Sequence, residues 1–179
     1  TKKLVNTGLA IPQYCRIVQL QNRIFVTGGH NGSVYGNTVS EYMEATKSLT
    51  TKAPMTYARY YHAIARLAKT SFCVVGGYGS GNLKECEEYH IEKNTWKALP
   101  SLTEGKYSIG VFLSKRSVLY CFGGHNGSAW QNTLEKIELK PAPTAWTKVA
   151  LTTNDAAEGH RATMYQMSPN EILLFRGNG

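Results

Sequence analysis

The sequence predicts an all-β chain assembled from one four-stranded unit used several times over, and three observations carry that prediction. Paired glycines recur at Gly28-Gly29, Gly76-Gly77 and Gly123-Gly124, 48 and 47 residues apart. Each pair closes a short apolar run, "RIFVTGG", "SFCVVGG" or "SVLYCFGG", rich in β-branched and aromatic residues. A bulky apolar residue (Tyr42, Tyr89 or Ile137) follows 12 or 13 positions after the second glycine, with Leu49, Trp96 or Trp146 seven to nine positions beyond.

Each element of the unit follows from its own residues. The first strand is the β-like segment ahead of each glycine pair: "YCRIVQL", "YYHAIARL", "YSIGVFL" and "RATMYQM". The glycine-closed run is the second, and "TVSEYME", "KECEEYHI" and "TLEKIEL" supply the third. The fourth opens at "SLTTKAP", "TWKALP" and "AWTKVAL". Their apolar residues alternate or run in short blocks, which suits strands and not the helical period. Four strands per repeat, with glycines at a fixed place, is the pattern of a propeller blade. A degraded fourth copy, "LLFRGNG", ends the chain with Gly177 in the second-glycine position.

The hexamer Gly-Gly-His-Asn-Gly-Ser occurs twice, from Gly28 to Ser33 and from Gly123 to Ser128. A phosphate-binding loop of the G-x-x-x-x-G-K-[ST] type does not fit, because Pro100 stands where Gly105-Lys106 would need a glycine. His30 and His125 occupy equivalent places in units that diverge from one another, so they do not converge on a metal. Glycine supplies positive φ and close approach where side chains crowd, and Asn-Gly favours a tight bend. The hexamer therefore reads as a turn. The same asparagines fit the N-x-[ST] glycosylation pattern, which the turn already explains.

These features resemble the kelch repeat: the Gly-Gly closing the second strand, Tyr42 and Tyr89 in the third, and Trp96 and Trp146 opening the fourth. The segment from Pro54 to Ala63, "PMTYARYYHA", resembles that family's bridge between blades. Leu49, Ile137 and Arg176-Gly177 depart from the pattern, so blade 2 is expected to pack most typically. The resemblance implies a kelch-type β-propeller segment of about three full four-stranded blades plus partial blades at both ends. The expected divisions are 1–11 (outer strand of a preceding blade, and linker), 12–58, 59–105 and 106–158 for three blades, and 159–179 for the first strands of another. Such an incomplete ring is expected to be completed by remaining blades of the same or another chain, including a dimer of half-rings.

Composition bounds the function. The 179 residues carry a formal charge of +8 from 20 Lys and Arg against 12 Asp and Glu. Those cations are scattered, not gathered in a stripe with interleaved aromatics, so no nucleic-acid partner is expected. No apolar run reaches the length of a membrane helix, and no membrane partner is expected. Cys15, Cys73, Cys86 and Cys121 show no metal or redox spacing and read as small buried hydrophobes suited to a reducing compartment, with a cytoplasmic location expected. His62 reads as a hydrogen-bonded core histidine. Alternation is expected to turn Glu41, Glu44, Glu85, Glu87, Glu88, Glu135 and Glu138 outwards. No convergent acid/base set or paired-histidine copper set is found, so neither an enzyme such as a copper oxidase nor any cofactor is expected.

The resemblance implies protein partners on one propeller face, met by the residue after Gly-Gly and those opening the innermost strand. By position these are His30, Tyr78 and His125, then Arg59-Tyr60 and Lys106-Tyr107, with Arg161 in the last copy. Tyr35 and Trp130 lie further along the same loops. Aromatic and arginine side chains on loops are common material of binding hot spots. The expected role is a scaffold subunit of a larger assembly, cytoskeletal, ciliary or similar. The alternative is the substrate-recognition module of a ubiquitin-ligase adaptor.

Overall fold

The computed structural model describes residues 6–151, 163–168 and 171–175. The first sheet is formed by β1 (Arg16–Leu20), β2 (Arg23–Thr27), β3 (Val39–Met43) and β4 (Ser48–Lys52), antiparallel and in chain order. The second is β5 (Ala63–Ala68), β6 (Ser71–Val75), β7 (Cys86–His90) and β8 (Thr95–Leu99), again in order. The third is β9 (Gly110–Leu113), β10 (Val118–Phe122), β11 (Leu134–Glu138) and β12 (Thr147–Val149). A two-stranded sheet, β13 (Thr163–Ser168) with β14 (Glu171–Phe175), follows. Helix is absent among the described residues. The strand expected at the start of the chain, Arg161 and the Arg176-Gly177 copy fall wholly or largely outside those residues.

The sheets fan about their first strands, with β1 against β5, β5 against β9, and β9 against β13. Among the described residues the fan is open. The apolar cores lie between the sheets. Phe72 and Val74 of β6 face back to Val18, Leu20, Phe25 and Val39 of the first sheet. Cys73 and Val75 of the same strand face forward to Leu119, Cys121 and Ile137 of the third. Successive side chains of a strand point to opposite faces, so a strand covered on both reads as an unbroken apolar run. That is why all five residues of β6 are buried, whereas β2 and β10 are partly exposed.

The repeat residues sit where this packing needs them. Tyr89 pairs across the sheet with Phe72 on one side and Trp96 on the other. Their ring centroids are 5.1 and 5.0 Å apart, and Phe25 of the previous sheet lies 5.6 Å from Phe72. Tyr42 and Ile137 take the equivalent register against Ile24 and Leu119. Trp96 and Trp146 also reach back one sheet. Trp96 Nε1–H donates to the Ala53 carbonyl and Trp146 Nε1–H to that of Pro100, both at 2.9 Å.

The buried charges overturn one expectation. Glu41, Glu87 and Glu135 point inwards and are 6%, 2% and 0% exposed. Alternation fixes which face a residue takes, but the face taken by each of these glutamates is covered by a neighbouring sheet. Arg23 and Lys52 hold Glu41, Arg59 holds Glu87, and Lys106 holds Glu135. Glu85 and Glu88 are half-buried, while Glu44 and Glu138 are exposed. Cys15 is also only half-buried; Cys73, Cys86 and Cys121 are buried, and all four are free.

Candidate interaction face

The loops that follow the glycine pairs and those that precede β1, β5 and β9 share one end of the fan. There the residue after each pair forms two antiparallel bridges: His30 with Gln13 and Tyr35, Tyr78 with Tyr60 and Asn82, His125 with Tyr107 and Trp130. Each sheet thus carries a small three-stranded extension. Gly28 and Gly76 permit it. Both have φ of +57°, and a Cβ on Gly76 would stand 2.6 Å from the Lys106 carbonyl. The N–H groups of Gly29 and Gly77 donate to the carbonyls of Arg59 and Lys106, each at 2.9 Å. One sheet's glycine pair is thereby stitched to the chain entering the next.

The repeated hexamer is the turn its residues predict. Asn31 Oδ1 accepts from Ser33 N–H at 3.1 Å and Val34 N–H at 2.9 Å. Asn126 Oδ1 does the same with Ser128 and Ala129, both at 3.0 Å. Gly32 N–H donates to His30 Nδ1 and Gly127 N–H to His125 Nδ1. With Nδ1 accepting, the neutral imidazoles carry their proton on Nε2.

On this end lies a continuous set of rings. Tyr35 stacks on Tyr60 at 5.2 Å, and His30 sits 5.3 Å from Tyr35. Tyr60 meets Tyr78 at 5.6 Å, Tyr78 meets Tyr107 at 5.7 Å, and Tyr107 meets His125 at 5.3 Å. Trp130 closes the row 5.1 Å from His125. Tyr14 and Tyr35 are exposed, and the other rings are half-buried. Burial of the Tyr60 ring, followed by its tyrosine neighbours, raises the pKa of its hydroxyl, which keeps it a donor.

The structure thus brings His30, Tyr35, Tyr60, Tyr78, Tyr107, His125 and Trp130 together. It corrects the expectation for Arg59 and Lys106. Both side chains are 0% exposed and turn away from the face into the sheets. Arg59 Nη1 donates to the carbonyls of Gly76 at 2.6 Å and Glu85 at 2.9 Å, and Nη2 to Glu87 Oε1 at 2.7 Å. Burial lowers the guanidinium's pKa and the neighbouring Glu87 charge offsets that in part. A buried cation without such a partner would be costly, which is why the long side chains fold inwards and do not reach out to solvent. Lys106 Nζ engages Glu135 and lies 3.4 Å from Thr133 Oγ1. Burial acts to raise the Glu135 pKa, but Lys106 and the Thr103 N–H carry it below the ordinary value.

Two members of the row escaped the sequence reading, Tyr14 and Tyr61, whose rings lie 4.2 Å apart. With Ser108 they occupy one place in successive repeats, each at positive φ (57°, 53° and 55°). Backbone bonds join them round the hub, Tyr61 N–H to Tyr14 O at 3.3 Å and Ser108 N–H to Tyr61 O at 2.9 Å. Aligning Gln13-Tyr14, Tyr60-Tyr61 and Tyr107-Ser108 would have found the position, though non-glycine residues give no sign of left-handed backbone.

Charge is unevenly shared between the two ends. In the ring-bearing loops the charged residues apart from buried Arg59 and Lys106 are Lys84, Glu85 and Glu104. Glu104 accepts from Asn126 Nδ2 at 3.2 Å. The hairpin turns at the far end carry exposed Lys47, Lys69, Lys93, Lys115, Arg116 and Lys140 against Glu44 and Glu92. Among the described residues the face is near-neutral and aromatic.

No family model matches the chain. An F-box/kelch-repeat protein of Arabidopsis thaliana is 27% identical over 150 residues, covering 78% of this chain and 36% of that protein. Kelch-like protein 23 of Homo sapiens is 30% identical over 138 residues, covering 73% of this chain and 24% of that protein. The F-box/kelch-repeat protein SKIP20 of Arabidopsis thaliana is 38% identical over 55 residues, 30% of this chain and 13% of its own length. The chain therefore matches about a quarter to a third of the length of the first two. With 30% identity to Kelch-like protein 23 over 73% of its own length, the chain belongs to the kelch-repeat β-propeller family.

Proposed function

We propose that the chain is a non-catalytic protein–protein interaction module whose partners dock on the ring-bearing face, in the role of scaffold subunit of a larger assembly. One observation carries the reading: a continuous row of part-exposed aromatic rings on loops pinned by glycine pairs and inter-sheet hydrogen bonds. Exposed aromatics grouped on a rigid platform supply large contact area at little ordering cost. The four free cysteines suit a reducing compartment, so the proposed location is cytoplasmic, with a cytoskeletal or ciliary assembly as the setting. A second reading, the substrate-recognition module of a ubiquitin-ligase adaptor, is favoured by relatives whose names join the kelch repeat to an F-box.

Affinity capture followed by hydrogen-exchange mapping of the complex tests the face. Protection of the loops around Tyr35, Tyr78 and Trp130, and loss of capture with Tyr35→Ala and Tyr78→Ala, are the expected results. Protection confined to the hairpin turns at the other end would reject it.

A further inference from the structure

We infer that the occupant of the ring-bearing face is an uncharged, proline-rich segment in the extended polyproline conformation. This rests on the reading of that face as the interaction surface. Three observations select this chemistry. The first is charge: of the three cations expected on the face, Arg59 and Lys106 are withdrawn onto Glu87 and Glu135, and Arg161 lies outside the described residues. Among the described residues of these loops what remains is Lys84, Glu85 and Glu104, of which Lys84 and Glu85 are adjacent and opposite in sign. An acidic or basic ligand would meet no complementary field here, and a charged segment would lose hydration without return.

The second is hydrogen-bond polarity. Among the described residues no hydrogen bond occupies the hydroxyls of Tyr35, Tyr60, Tyr78 or Tyr107. Their neighbours His30 and His125 use Nδ1 as acceptor within their own turns, leaving Nε2–H as the ring's donor. The face is therefore rich in donors. Proline has no N–H, and its segments present carbonyl acceptors with no internal hydrogen bonds. Donor-rich surface meets acceptor-only ligand.

The third is shape. The rings form an unbroken row with centroid separations of 5.2 to 5.7 Å from Tyr35 through Tyr60 and Tyr78 to Tyr107. The rings touch their neighbours, so they form one continuous surface of flat faces and edges on which pyrrolidine rings can pack. A polyproline helix is preformed, so little ordering entropy opposes docking, and aromatic-lined grooves recognise such helices in unrelated folds. The ordered loop hydrogen bonds mean that the surface is also preformed.

The test is a titration of the whole chain, followed by intrinsic fluorescence, with three probe peptides of equal length: decaproline, a polyglutamate and a polylysine. Decaproline is expected to bind with an affinity that changes little between low and high salt, because no exposed charge is engaged. Tyr35→Ala, an exposed loop position that leaves the core untouched, is expected to weaken it about tenfold. Binding of polyglutamate or polylysine in preference to decaproline would overturn the inference while leaving the face an interaction surface. Absence of decaproline binding, or decaproline binding unaffected by Tyr35→Ala and by Tyr78→Ala, would overturn it too. The loops' protection by a captured partner is read separately, so the two failures are distinguishable.

Discussion

Arg59 Nη2 lies 2.7 Å from Glu87 Oε1, with the two side chains 0% and 3% exposed. Thr56 N–H donates to the other carboxylate oxygen at 2.9 Å, so both carboxylate oxygens are engaged at the entrance to the second sheet, while Arg59 Nε is buried without a hydrogen-bond partner. The third sheet repeats the arrangement with Lys106, Glu135 and Thr103. The first sheet does not: register places Pro12 and Ser40 at the corresponding positions, so both charges are missing together. That is the pattern electrostatics demands. A half-pair would leave an uncompensated buried charge, while the absent pair costs nothing of the kind.

Removing one partner of the second-sheet pair is accordingly expected to be worse than removing both. Arg59→Met or Glu87→Leu alone should lower stability by about 3–5 kcal/mol, and the double variant should recover at least half of that loss. Urea unfolding of the four proteins measures the coupling. Strictly additive losses would mean that the two side chains act independently.

The glycine pairs give a sharper geometric test. Gly76→Ala places a methyl against the Lys106 carbonyl in a left-handed conformation, whereas Gly32, at φ +94°, has nothing within 4 Å of an added Cβ. Both changes strain the backbone by about 1–2 kcal/mol, and Gly76 adds the clash. Gly76→Ala should therefore destabilise by at least about 2 kcal/mol more than Gly32→Ala, read as the difference in denaturation midpoint. Equal effects would remove the argument that the pair exists for close approach between sheets.

The inter-sheet tryptophans should show an effect that separates into a hydrogen-bond part and a packing part. Trp146 is 5% exposed and its indole N–H holds the Pro100 carbonyl at 2.9 Å. Trp146→Phe keeps most of the packing and strands that carbonyl, for about 1–2 kcal/mol. Trp146→Ala adds a cavity and should cost about 3–5 kcal/mol. Thermal melts followed by circular dichroism distinguish the two.

The propeller architecture was legible because its determinants are local or strictly periodic. Gly76-Gly77, Tyr89 and Trp96 stand at fixed offsets, and each offset corresponds to a position in one sheet. The ring row was largely legible for the same reason, since His30, Tyr78 and His125 follow the glycine pairs. Arg59 and Lys106 were misread because exposure of a long cation depends on partners elsewhere in the chain. A carboxylate 28 or 29 residues away decides whether the side chain turns in or out. Glu87 and Glu135 were misread for the complementary reason. Strand alternation names two faces, and it cannot tell that the second face is covered by another sheet. Tyr14 and Tyr61 were missed because a left-handed tyrosine leaves no mark in composition.

Acid sensitivity should come in two stages carried by different groups. His62 is fully buried between the first two sheets, where Thr27 Oγ1 lies 2.9 Å from its Nε2 and Nδ1 has no hydrogen-bond partner. Burial first, then the charges of Arg59 and Arg16, hold its pKa well below 6.5. The unfolded chain therefore takes up this proton before the folded one, so stability is full above about pH 6.5 and falls as the pH drops below it, by up to about 1.4 kcal/mol per unit. Glu41 acts lower. The Arg23 hydrogen bond works against burial, Lys52 adds to it, and the carboxyl is held down to about 2 from 4.5. Its contribution is complete above about pH 4.5 and lost as the pH falls towards 2, on the order of 3 kcal/mol in all. Urea midpoints taken across this range should fall in two steps for the wild type. His62→Gln should flatten the upper step and leave the lower, and Glu41→Gln should lower stability at neutral pH while flattening the step below pH 4.5. An upper step that survives in His62→Gln would place its origin in another group and show that the buried imidazole is not what weakens the joint between the first two sheets in mild acid.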